Sequence, residues 1–199
     1  MSDASLPPAP PAPAPSAPPP GRASLRTILV VAVVVASAFG YVRLAEHKGY
    51  ALQVGSEAPG LRLPTLDGAQ HDLLAERGKL VVLNFWATWC PPCVAEMPSL
   101  ERLHRALGAE GLSVVAVSTD RDEGALRSFV AEQGLTLRVL HDPGGREASS
   151  VYHVTGYPET YVIDRDGHIV QHVVGPAEWD SPEWLARFRG RLGTGALGR

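Results

Sequence analysis

Residues 79–93 read KLVVLNFWATWCPPC, an apolar run interrupted by one asparagine and closed by two cysteines two residues apart. From Lys79 to Phe85 the run has no polar alternation, the pattern of a strand buried on both faces. From Pro92 onward Val94, Met97, Leu100, Leu103 and Leu107 recur at helical spacing, and the pattern ends near Gly108 to Gly111. Cys90 and Cys93 therefore fall where a buried strand gives way to a helix. A strand passing at once into a helix starts an α/β arrangement.

The rest of the chain extends that pattern. Ser113 to Ser118 reads as a second buried strand, and Glu123 to Gly134 as a helix with Leu126, Phe129 and Val130 on its apolar face. Leu135 to Leu140 is a third strand, and a short helix is expected around Glu147 to Tyr152. Thr160 to Ile163, the turn Asp164-Arg165-Asp166-Gly167 and Ile169 to Val174 read as a hairpin by their turn chemistry. Trp184, Leu185 and Phe188 suit a closing helix. Before the central strand, Leu61, Leu63, a turn at Leu66-Asp67-Gly68 and Leu73-Leu74 predict a small N-terminal hairpin. The expected sheet carries one antiparallel edge.

Of the 199 residues, the first twenty hold nine of the eighteen prolines. Residues 1–24 have too little apolar bulk to offset ordering entropy and read as a disordered Pro/Ala-rich tail. Between Arg26 and Arg43 lie sixteen uncharged residues, TILVVAVVVASAFGYV. A helix of that length reaches about 24 Å, and arginines snorkelling at both ends make up much of the roughly 30 Å of a bilayer core. Residues 25–44 are thus expected to be a transmembrane anchor, or a signal peptide cleaved after Ala38 in the small-x-small run Ala36-Ser37-Ala38. Residues 52–192 form the folded domain. A net charge of −3 with no basic stripe excludes nucleic acid as the expected partner.

Three chemistries suit the cysteine pair. As a staple it closes so short a loop that it contributes only about 2 kcal/mol. As a zinc site it lacks a second cysteine pair, and His141, His153, His168 and His172 follow no ligand spacing. As a redox pair it stands at a helix start, where orphan N–H groups and the dipole favour a thiolate on Cys90. Cys90 is then the exposed nucleophile and Cys93, one turn in, the resolving thiol. Pro92 suits the first turn because no N–H is needed there.

The span from about Val54 to Arg191 resembles the thioredoxin superfamily, in its TlpA/ResA-like branch of the cytochrome c maturation type. The residues that carry the resemblance are Val54-Gly55-Ser56-Glu57-Ala58-Pro59, Asn84 through Cys93, Glu96-Met97-Pro98, and Gly156-Tyr157-Pro158. The resemblance implies a thioredoxin fold, a central mixed sheet flanked by helices, with a strand–helix insertion over Asp120 to Asp142. It implies that Pro158 is a cis-proline facing the cysteines, leaving the Tyr157 backbone to pair with an incoming peptide. Thioredoxins carry an acid where this chain has Asn84; Glu96 matches instead an acid that ResA-like proteins hold beneath the pair. Buried there, Glu96 would exchange protons with Cys93. Trp89 is expected to pack at the site and Trp86 in the core, while Asp120, Asp122 and Glu123 read as cap and surface residues.

The function so implied is an extracytoplasmic thiol–disulfide oxidoreductase of the cell membrane, with the domain on the periplasmic side. It reduces client disulfides such as those of apocytochrome c, is recharged by an upstream membrane electron donor, and needs no cofactor or metal. An oxidant or isomerase has the same cysteine spacing. A peroxiredoxin-like peroxidase needs a T-x-x-C setting, and Thr88-Trp89-Cys90 is one residue short. A copper-binding module using Cys90, Cys93 and His141 is the non-enzyme alternative.

Overall fold

Each side chain of the central strand β3 (Leu80–Trp86) is buried, and its alternation sets the layers. Leu80, Val82 and Trp86 enter one apolar cluster, whereas Val81, Leu83 and Phe85 enter the other. A strand dry on both faces needs a cover on each. The computed structural model describes residues 25–46 and 52–194, so the expected tail over residues 1–24 lies outside the described residues. The backbone divides into two units, Met1–Lys48 and Gly49–Arg199.

In the second unit β1 (Arg62–Pro64) pairs antiparallel with β2 (Gln70–Asp72), the expected N-terminal hairpin. After β3 come α2 (Pro91–Leu107), β4 (Leu112–Ser118), α3 (Glu123–Glu132) and β5 (Arg138–His141). They are followed by α4 (Arg146–Val151), β6 (Glu159–Ile163), β7 (Ile169–Val174) and α5 (Pro182–Thr194). The sheet order is β5-β4-β3-β6-β7. β3, β4 and β5 run parallel, while β6 runs antiparallel to both β3 and β7. Antiparallel pairing therefore enters the middle of the sheet instead of being confined to an edge. Cluster one packs Met97, Leu100, Leu103 and Leu107 of α2 and Phe188 of α5 against the sheet. Cluster two covers the other face with Leu61, Leu63, Ala148 and Tyr152.

The differences from the sequence pattern have local causes. Val94 is only half-buried, and Glu96 and Ser99 take buried positions on α2 beside the leucines. β5 begins at Arg138, three residues later than expected, because the preceding backbone is held by a side chain. The carboxylate of Glu101 on α2 accepts the N–H groups of Thr136 and Leu137, at 2.8 and 3.0 Å, and the Thr136 hydroxyl. Arg105 adds a charged donor at 2.7 Å. Burial alone would raise the Glu101 pKa, but the Thr136, Leu137 and Arg105 hydrogen bonds outweigh it and bring it down to about 2.

A depressed acid stabilises the fold above its unfolded pKa, and that stability disappears as pH falls toward the folded value. Glu101→Leu is accordingly expected to lower the unfolding free energy by about 2 kcal/mol at pH 7, the scale of charged hydrogen bonds. Urea unfolding should show the deficit shrinking as pH drops from about 4.5 toward 2. A deficit independent of pH would assign the loss to packing instead.

The first unit contributes α1 (Leu25–Glu46). Ile28, Leu29, Val30, Val31, Val33, Val34 and Val35 on it are exposed, each by more than half of its surface. Among the described residues no helix is long and apolar enough to cross a membrane.

Candidate active site

The turn between β3 and α2 builds the site. Cys90 is the N-cap of α2, with extended backbone (φ −100°, ψ 104°), and Pro91 and Pro92 occupy the first helical positions. Two prolines remove two of the orphan N–H groups that a helix start normally exposes. The next donor, the Cys93 N–H, points at Cys90 Sγ, 3.4 Å away. An N–H and the positive end of a seventeen-residue helix therefore meet the sulfur on which a thiolate would form. The two cysteines are joined as a disulfide. Cys93 is fully buried, and Cys90, expected to be exposed, shows only 5 % of its surface. Cys90 belongs to the apolar cluster on the α2 side of the sheet, so it is merely the more accessible of the pair.

One helical turn on, Glu96 is 3 % exposed. Its Oε1 accepts from Asn84 Nδ2 at 2.8 Å; its Oε2 accepts from the Ala177 N–H and from Trp179 Nε1, both at 3.0 Å. Burial raises its pKa above the ordinary carboxyl range, and the bonds from Ala177, Trp179 and Asn84 only partly oppose this. Asn84 also donates to Thr160 Oγ1 at 2.9 Å, while its own Oδ1 is buried with no hydrogen-bond partner among the described residues. Asn84, where thioredoxins carry an acid, is thus the hydrogen-bond donor to Glu96.

Of the other residues singled out, Trp86 is buried as expected and its ring contacts Phe129. Trp89 is 64 % exposed, its ring edge-on to Tyr157 with centroids 5.8 Å apart. The Tyr157–Pro158 bond is cis, and Pro158 is buried. His141 is not brought to the cysteines. Its Nε2 lies 2.8 Å from the Asp120 carbonyl oxygen and its Nδ1 3.8 Å from Glu123. Among the described residues no three His, Cys, Asp or Glu side chains converge as a metal would need, so the copper reading lacks its third ligand.

Asp120 is a correction. It is not a surface cap but a buried anchor, 3 % exposed, that accepts from the Thr88 N–H, the Thr88 hydroxyl and the Ser118 hydroxyl. It holds Thr88, two residues before Cys90; Asp122 instead caps α3. Trp179 went unnoticed in the sequence, where a lone tryptophan in a Pro-rich loop carries no periodic signal. Its N–H to Ser99 Oγ (3.1 Å) and the Arg102–Asp180 ion pair tie that loop onto α2.

Comparison with known proteins agrees with this geometry. The AhpC/TSA family model matches residues 54–172. The thioredoxin-like protein YneN of Bacillus subtilis is 38 % identical over 154 residues, spanning 76 % of this chain and 89 % of that protein. The thiol-disulfide oxidoreductase ResA of Oceanobacillus iheyensis is 37 % identical over 166 residues, spanning 81 % of this chain and 84 % of that protein. Among solved structures, a Chlorobium tepidum protein assigned as thiol:disulfide interchange protein DsbE superposes with a TM-score of 0.66 at 32 % identity. It covers 72 % of this chain and 100 % of its own. With an AhpC/TSA-type domain, a thioredoxin fold and a Cys90–Cys93 pair at the start of α2, the chain belongs to the ResA-like thiol–disulfide oxidoreductases of the thioredoxin superfamily.

Proposed function

We propose that the protein is an extracytoplasmic reductant of client-protein disulfides, with apocytochrome c as the client type, attached to the cell membrane through residues 25–44. The observation that carries this reading is a buried acid on the helix that Cys90 caps: Glu96 lies one turn past Cys93 and has a pKa raised by burial. In the proposed step the Cys90 thiolate attacks a client sulfur, forming a Cys90–client disulfide and releasing the first client thiolate. Cys93 then loses its proton to Glu96 and attacks Cys90 Sγ, which forms the Cys90–Cys93 disulfide and releases the second client thiolate. Two electrons pass to the client, so an upstream dithiol must reduce the pair again. Trp89, Tyr157 and Pro158 form the client-binding rim in this reading. The anchor rests on the sixteen uncharged residues between Arg26 and Arg43, and the outward placement on the use of such a pair in an oxidising space.

Two experiments on the whole chain test this. A reporter that works only outside the cytoplasm, fused after Arg199, should be active and stay with carbonate-washed membranes. Cys93→Ser expressed in cells should accumulate mixed disulfides, with haem-attachment cysteines among the captured partners. A reporter active only in the cytoplasm would remove the placement, and capture confined to other proteins would remove the client.

A further inference from the structure

The loop between β7 and α5 is fastened to α2 at Glu96, Ser99 and Arg102, positions spaced by three residues and therefore on one face of the helix. At the inner rung Glu96 Oε2 accepts the Ala177 N–H and Trp179 Nε1. At the middle rung Ser99 Oγ, also buried, accepts the Trp179 N–H at 3.1 Å and donates to the Glu96 carbonyl at 2.7 Å. At the outer rung the Arg102 guanidinium grips both oxygens of Asp180, Nε on Oδ2 and Nη2 on Oδ1, the latter at 3.0 Å. The inner rungs are dry, whereas the outer one is an ion pair at the surface.

Between loop and helix lies a cavity of about 250 Å³, lined by Glu96, Ser99, Arg102, Ala177 and Glu178 but by neither cysteine. Trp179 seats one end of the loop in the core against Trp184, with ring centroids 4.6 Å apart. Pro176, Ala177 and Glu178 border the cavity instead, so this stretch is held down by the polar rungs, and water admitted there reaches the carboxyl of Glu96. The groups that bond to Glu96 are neutral: Asn84 from β3, itself bonded to Thr160 of β6, and the loop donors. Its titratable neighbour on α2 is Cys93. The charges on this side are Arg102 and Glu178, which share the cavity with it, and Asp180. Hydrogen bonds from Arg102 hold the Asp180 carboxyl below its usual range, so the pair stays charged at any pH where Glu96 ionises.

We propose that Arg102 is a positioning residue for the buried acid: its ion pair with Asp180 keeps the loop seated, and the seated loop keeps Glu96 dry and supplies two of its donors. The proposal rests on the reading of Glu96 as the proton acceptor from Cys93. Loosening the loop acts on Glu96 in two opposed ways, since lost donors disfavour the carboxylate and admitted water favours it. Burial is the larger influence on this carboxyl, so hydration wins and Glu96 becomes a stronger acid.

The test is the pH–rate profile for resolution of the mixed disulfide, measured in single turnovers of the reduced full-length protein in detergent with a synthetic peptide disulfide. Arg102→Gln should move the midpoint assigned to Glu96 to lower pH by about half a unit, the scale that a surface ion pair can transmit. Asp180→Asn should do the same, and the double variant should move it no further than either single one, because both cut one contact. Arg127→Gln, which removes the surface pair with Glu123 on α3, should leave the midpoint in place. A midpoint that rises in Arg102→Gln would mean that the lost positive charge acts directly on Glu96, and would overturn the proposal. Additive shifts in the double variant, or an equal shift in Arg127→Gln, would overturn it too. Glu96→Gln separates the two claims. If that variant keeps the ionisation, the proton-acceptor reading fails; if it loses the ionisation while Arg102→Gln leaves the midpoint unmoved, only the positioning role does.

Discussion

Cys90→Ser is expected to abolish disulfide reduction, by more than about a thousandfold, because a hydroxyl cannot replace the thiolate nucleophile. Cys93→Ser is expected to keep the first step and lose the second. The reason is position: Cys90 is the helix cap that receives the Cys93 N–H and retains some exposure, whereas Cys93 is fully enclosed. An incoming disulfide therefore meets the Cys90 sulfur first. With purified reduced protein and a client peptide disulfide, Cys93→Ser should release one thiol per protein and stall as a mixed disulfide, resolved by mass spectrometry. Cys90→Ser should show no adduct. Stalling in Cys90→Ser and none in Cys93→Ser would reverse the roles.

The second large effect is expected at Glu96. Glu96→Gln should slow resolution of the mixed disulfide by about a hundredfold, the usual scale of a lost general base. The fold has a way to accept the substitution. Turning the Asn84 amide over presents its unpartnered Oδ1 to a glutamine N–H and to the Thr160 hydroxyl. The glutamine oxygen then keeps the Ala177 and Trp179 donors. Stability supplies the control. A carboxyl with a raised folded pKa favours folding in its neutral form, so its contribution falls as pH rises from the ordinary value through the raised one. Glu96→Gln escapes that fall, and its stability relative to wild type should rise over the same interval in urea unfolding. Kinetically, the ionisation above the ordinary glutamate range should vanish from the pH–rate profile of client reduction. Superimposable profiles and rates would leave the proton path to another group.

Several elements were legible because their signals are local. The strand Leu80–Trp86 is a run of apolar residues, α2 carries a helical stripe, and the β6–β7 hairpin announces its turn in Asp164-Arg165-Asp166-Gly167. The Cys-Pro-Pro-Cys segment also locates itself, since prolines at a helix start need no partner for the N–H they lack. Periodicity failed where a polar side chain replaces a pattern. Glu101 holds Thr136 and Leu137 outside β5, and Asp120 looks like a cap residue until its three donors are seen.

Sequence alone determined the α/β class, the strand-to-helix junction and the redox pair upon it, because each depends on neighbours within a few residues. Only the tertiary structure decided what surrounds the pair. Asn84 on β3, Glu96 on α2, Thr160 on β6 and the Ala177–Trp179 loop are joined by hydrogen bonds between positions 12 to 83 residues apart. No spacing rule encodes such a convergence, since it follows from how the sheet is ordered and which face of each element is dry. Desolvation of Glu96 is a property of that assembled shell: the carboxyl is an ordinary acid on an isolated helix and a raised one only when β3 and the loop close over it.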